Sequence, residues 1–204
     1  MNKKWFAPIL PYLAVWAGLF LFKSTWLSLL GFHAAILLVL AIARPNIPIN
    51  DLFQSKSLKW ILVNALLCGI SGIVLYFLWD RFGIARDLPE QLQSIGLTSS
   101  SWLWFITYFS LVNPFIEEYF WRAYLGSDGR GFYIGDLVYA GYHGLILINK
   151  VHIFSILFAL ICLTFISWFW RQIRREDEGL LAVVLGHMAA DFSILVCVML
   201  QLQP

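Results

Sequence analysis

Two adjacent carboxylates, an arginine one helical turn beyond them, and two histidines each one turn from a second side chain are the residues of this sequence equipped for hydrolytic chemistry. Arg122 stands at i,i+4 from Glu118, so the two can pair along one helix face. Glu117 points about 100° away from Glu118 and has no partner in its own helix, which leaves it available as a base in a polar cavity. Tyr139 and His143 are also spaced i,i+4, with Asp136 three residues before Tyr139 on much the same face. His187 and Asp191 repeat that spacing among Gly186, Ala189 and Ala190, small residues that admit a neighbouring helix. His33 and His152 have no ionisable partner at helical spacing and are read as structural. A purely structural network, in which both glutamates share Arg122, is the competing reading of the same residues.

All these residues lie in or beside apolar runs. Of 204 residues, 60% are hydrophobic and only 13% charged, and the mean hydropathy is +0.76. Soluble domains are about 45–50% apolar and about 25% charged, so the composition excludes a water-soluble globule. Ten Trp and eight Tyr suit membrane interfaces, and a net charge of +2 without a basic stripe makes nucleic acid an unexpected partner. The cysteines, Cys68, Cys162 and Cys197, sit in apolar runs without paired spacing, which speaks against a disulfide framework or a zinc ribbon.

Runs long enough to span hydrocarbon cover 5–22, 24–43, 60–79, 102–125, 132–148, 151–170 and 180–200. The expected fold is therefore an all-α, multi-pass integral membrane helix bundle of about seven transmembrane helices, forming a single domain over 1–204. The first run, after Met1-Asn2-Lys3-Lys4, reads as a retained helix rather than a signal peptide, with Pro8 and Pro11 near its start. Pro114, after Asn113, suits a first helical turn. Alternating the loops puts Lys23, Arg81, Arg86 and Lys150 on one side and the other ten Lys and Arg on the opposite one, which favours N-in/C-out. Loop 80–101, the longest connection, then lies outside and is partly ordered at the interface. By helical rise, Glu117, His143 and His187 lie about 8, 16 and 10 Å from the inner face, so the three can meet in the inner half of the bilayer.

Taken in order, Glu117-Glu118-x-x-x-Arg122, Tyr139-x-x-x-His143 and His187-x-x-x-Asp191 resemble the CPBP family of intramembrane proteases, which includes CAAX prenyl endopeptidases and bacteriocin-processing or self-immunity proteins. The resemblance covers about 101–195, each motif on its own helix. The aromatic of the second motif is usually Phe and is Tyr139 here; the last position is Asn or Asp in the family, and Asp191 donates a hydrogen bond only when protonated. What the resemblance implies is hydrolysis of a peptide bond by an activated water: Glu117 as general base, His143 holding the water, His187 and Asp191 stabilising the oxyanion, with Glu118, Arg122 and Tyr139 as support. It implies no cofactor. An alternative makes Glu117, His143 and His187 the ligands of a zinc ion that binds the water, although no His-Glu-x-x-His helix is present.

The expected partners are the lipid bilayer and a membrane-anchored protein or peptide: a CAAX-type C-terminus, a leader peptide or a sorting tail. The expected location is a prokaryotic cytoplasmic membrane, with the site in its cytoplasmic half. Three other readings compete. A non-catalytic immunity or transport protein would use the same cluster for binding or ion passage. A rhomboid-like serine protease would use Ser71 of Gly69-Ile70-Ser71-Gly72, with His187 as its base, but would leave Glu117, Glu118 and Arg122 unexplained. An aspartyl pair of Asp136 and Asp191 is the weakest of the three.

Overall fold

The computed structural model describes residues 3–202; Met1, Asn2, Gln203 and Pro204 of the expected domain lie outside the described residues. The described chain is all helical, with one isolated backbone bridge between Ile84 and Val151 and no strand. In order the helices are α1 (Ile9–Trp16, continued by a π-helical turn, Ala17–Leu21), α2 (Thr25–Ala43), α3 (Leu58–Leu78), α4 (Leu88–Ser94), α5 (Trp102–Glu118, continued by a π-helical turn, Tyr119–Tyr124), α6 (Ile134–Leu147), α7 (Ile153–Asp177) and α8 (Leu181–Leu202). Each of the seven apolar runs becomes a helix, and α4 is added within the long loop, where Leu88, Leu92 and Leu97 pack with Leu29 and Phe105.

Four helices, α2, α3, α7 and α8, are long and apolar enough to cross a membrane. Their outer faces carry the large apolar side chains: Phe77 is 79% exposed and Phe154 73%. Glu117, Glu118, Arg122, Asp136, Arg171 and His187 are by contrast buried. This is the distribution that suits lipid outside and a polar interior, because an unpaired charge facing hydrocarbon is expensive. The chain is an integral membrane protein.

Two sequence expectations change in the structure. Pro114 lies inside α5, not in a first turn, because the apolar segment from Trp102 propagates the helix through Asn113. A membrane helix tolerates this where neighbouring elements satisfy the freed backbone. Asp136 does not join the histidines. Its Oδ2 accepts from the backbone N–H of Tyr133 at 2.9 Å, which caps α6, and from Arg171 Nη2 at 2.8 Å, while Oδ1 accepts from Ser167 Oγ at 3.2 Å and Arg171 Nε at 3.0 Å. Arg171 also donates to the carbonyls of Ser127, Gly129 and Gly131, so the α5–α6 loop is tied to the end of α7. The polar tail of α7 thus extends the helix past the apolar run in order to hold that loop.

The most extensively packed helix pair is α3 with α8, and small residues let the two backbones approach. A side chain at Gly72 would collide with the Ser193 backbone, and one at Gly186 with the Asn64 amide. Asn64 is fully buried: its Nδ2 donates to Ala182 O at 2.7 Å, and its Oδ1 accepts from Trp170 Nε1 at 2.9 Å. One amide on α3 therefore locks α7 and α8 together beside the histidine of α8.

Candidate active site

Glu117 is the penultimate residue of α5, is 1% exposed, and accepts a hydrogen bond at Oε1 from the Tyr142 hydroxyl of α6 at 2.6 Å. Its Oε2 meets no hydrogen-bonding group among the described residues. The Tyr142 ring lies against His143, their centroids 4.0 Å apart. His143 Nδ1 sits 3.3 Å from Tyr139 O. A carbonyl can only accept, so Nδ1 carries the proton, and in the neutral ring Nε2 carries the lone pair. The carboxylate and this imidazole are thus two proton acceptors on either side of one tyrosine.

Glu118, fully buried, is shared. Its Oε2 lies 3.1 Å from Arg122 Nε, and its Oε1 2.7 Å from His187 Nδ1. The expected Glu118–Arg122 pair is therefore present, but the contact lacks hydrogen-bond alignment, and no guanidinium nitrogen of Arg122 is hydrogen-bonded among the described residues. The cation rests instead over the rings of Tyr139, at 3.9 Å, and Trp170, at 4.9 Å. Such contacts contribute about 2 kcal/mol when desolvated. The Arg122 carbonyl accepts from Arg174, which ties the π turn to α7.

His187 stacks on Trp170 with centroids 4.8 Å apart, and its Nε2 faces Asp191 Oδ1 at 3.5 Å. His143 and His187 both flank the Tyr139 ring, at 5.2 and 6.4 Å. The structure thus brings together Glu117, Glu118, Arg122, Tyr139, His143, His187 and Asp191, from α5, α6 and α8. Asp191 is set as an acceptor: its Oδ2 takes a hydrogen bond from Asn113 Nδ2 at 3.3 Å, so the carboxylate orients His187 rather than donating.

Sequence reasoning missed Tyr142, Asn113, Asn64 and Trp170. Each is a polar or amphipathic group within an apolar helix, where it must find a partner, and that requirement is the signal that could have flagged them. His33 is also more engaged than its isolation in the sequence suggests, bonding to Asn113 and Tyr108. His152 caps α7, accepting from Phe154 N at 3.4 Å.

Of the three candidate zinc ligands, His187 has both ring nitrogens facing carboxylates, while His143 Nε2 and Glu117 Oε2 are open. Among the described residues no three His, Cys, Asp or Glu side chains form a group suited to a metal ion. Ser71 donates to Cys68 O at 2.6 Å and lies 3.4 Å from Ser193 Oγ, so its contacts are those of the α3–α8 seam.

Replacing Arg122 with Ala removes one partner of a buried pair and leaves Glu118 with His187 alone. The expected cost is about 3–5 kcal/mol, read as a lower melting temperature in detergent. Arg122→Lys keeps the charge but loses the planar ring contacts and should fall between. An unchanged melting curve for Arg122→Ala would contradict the pairing.

The fold is that of a polytopic membrane bundle whose ionisable side chains from α5, α6 and α8 gather in one buried cluster. Residues 99–193, from the turn before α5 into α8, match the family model described as type II CAAX prenyl endopeptidase Rce1-like. That segment is thus similar to the CPBP family of intramembrane proteases, over nearly the span expected from the motifs. No curated protein and no solved structure matches the chain.

Proposed function

We propose that the chain is an intramembrane endopeptidase of glutamate type that cleaves a membrane-anchored protein or peptide near its C-terminal or leader segment, a CAAX-type C-terminus being the first candidate. One observation carries this reading: a buried Glu117 held at one oxygen by Tyr142, its other oxygen without a partner among the described residues, and a histidine, packed on that same Tyr142, whose Nε2 is an acceptor. Glu117 takes a proton from water while His143 accepts its second hydrogen bond. The hydroxide adds to the scissile carbonyl, and His187 donates to the developing oxyanion through Nε2–H, which Asp191 holds only loosely at 3.5 Å. Protonated Glu117 then returns its proton to the leaving amine. Glu118 and Arg122 neutralise each other and keep His187 in register.

The excess of Lys and Arg on one side of the alternating loops supports a site in the cytoplasmic half of the membrane. The competing non-catalytic reading, ion passage or immunity binding, would use the same buried cluster without cleaving any peptide. The test is cleavage by the purified chain in proteoliposomes of a farnesylated CAAX peptide, a leader peptide and a water-soluble version of each. Cleavage restricted to a membrane-anchored peptide supports the proposal, and a folded protein that cleaves none of them contradicts it.

The metal-free mechanism makes a separate prediction. Activity should survive a membrane-permeant chelator, and elemental analysis of the purified chain should find far less than one zinc per molecule. Stoichiometric zinc, with activity lost on chelation and restored by added metal, would overturn it.

A further inference from the structure

A file of hydrogen bonds leaves the site through Asp191 and passes through His33 of α2, in the half of the chain that the family match does not reach, before returning to α5 at Tyr108. Asp191 Oδ2 accepts from Asn113 Nδ2 at 3.3 Å; Asn113 Oδ1 is 3.0 Å from His33 Nε2; His33 Nδ1 is 3.2 Å from the Tyr108 hydroxyl. Asn113 is 1% exposed and His33 3%, so water does not substitute freely for either partner. The proton positions follow from the carboxylate outward. Asp191 must accept, so Asn113 presents its NH2 to it and its Oδ1 to His33. His33 Nε2 must then carry a proton, which leaves Nδ1 to accept from Tyr108. Every member is satisfied in one direction only.

We infer that His33 is a positioning residue of the protease site: by anchoring the Oδ1 end of the Asn113 amide it holds the amide NH2 on Asp191, and Asp191 in turn sets the Nε2–H of His187. Without His33 the Oδ1 end of the Asn113 amide loses its partner, and only the longer 3.3 Å contact to Asp191 is left to hold the amide in place. Buried polar chains of this kind behave as units, and partial loss costs more than one bond. The inference rests on the protease reading for its effect on rate, but its structural half does not.

The test uses the full chain in nanodiscs with a membrane-anchored peptide that the wild type cleaves, and it pairs kinetics with 15N NMR of the histidine rings. His33→Ala should lower kcat by up to about 100-fold, the scale of a misplaced catalytic group, with KM near wild type and a lower melting temperature from the buried partners it strands. It should also move the His187 ring nitrogen resonances. His33→Gln, whose amide N–H can replace Nε2–H, should recover most of the rate, and Tyr108→Phe should give a smaller loss of the same kind. In an Asp191→Ala background, His33→Ala should have little further effect, because the file is already cut.

A His33→Ala loss that persists undiminished in that background, or that tracks a falling melting temperature without recovery in His33→Gln, would overturn the inference. If the wild type cleaves nothing, the protease reading fails, and the His187 resonances still decide: unmoved by His33→Ala, they overturn the positioning role; moved, they support it.

Discussion

Replacing Glu117 with Gln is expected to lower kcat by about 10²–10⁴-fold, the range supplied by a positioned general base, with KM and melting temperature close to wild type. The substitution is nearly isosteric. The Gln carbonyl oxygen still accepts from Tyr142, so the α5–α6 contact survives, yet the side chain no longer takes a proton from water. Glu118→Gln makes the contrast. It weakens the attachments to Arg122 and His187 at once and should reduce stability as well as rate. Enzyme assays and melting curves on the two variants separate base from scaffold. A Glu117→Gln protein that keeps most of its activity would refute the assignment.

His187→Ala should cost about 10²–10³-fold in kcat, the effect of losing one oxyanion donor. It should not be a pure rate variant, because Glu118 Oε1 then loses its 2.7 Å partner and Trp170 loses the ring packed against it. A fall in melting temperature is therefore expected alongside the rate loss. His143→Ala should differ: its ring bonds only a carbonyl of its own helix, so the rate should fall with little change in melting. If His187→Ala and His143→Ala melt alike, the bridging role given to His187 is wrong.

Much of this was legible in the sequence because membrane chemistry leaves few choices. Apolar runs interrupted by Glu117, Glu118, Arg122, His143, His187 and Asp191 announce both the solvent and the interior. Helical spacing alone gives the Glu118–Arg122 and His187–Asp191 pairs. What spacing cannot give is which helix lies against which. The Glu117–Tyr142 bond depends on how α6 is rotated, and the His33–Asn113–Asp191 file joins positions from α2, α5 and α8 that only packing brings together. Asp136 shares a face with Tyr139 in the sequence, yet near the start of α6 it serves the cap and Arg171. Pro114 was misplaced for a related reason: a local turn preference yields to a helix held by its neighbours.

The central claim, that Glu117 activates a water for peptide hydrolysis within the membrane, is tested most directly by single-turnover cleavage of a membrane-anchored reporter in H2(18)O, with metal-depleted wild type and Glu117→Gln compared in the same proteoliposomes and the products weighed by mass spectrometry. The account predicts a wild-type product with one labelled oxygen at its new C-terminus and almost none from a Glu117→Gln protein that melts like wild type. Labelled product from Glu117→Gln at near the wild-type rate, or wild-type cleavage that vanishes on metal depletion and returns with zinc, would contradict it.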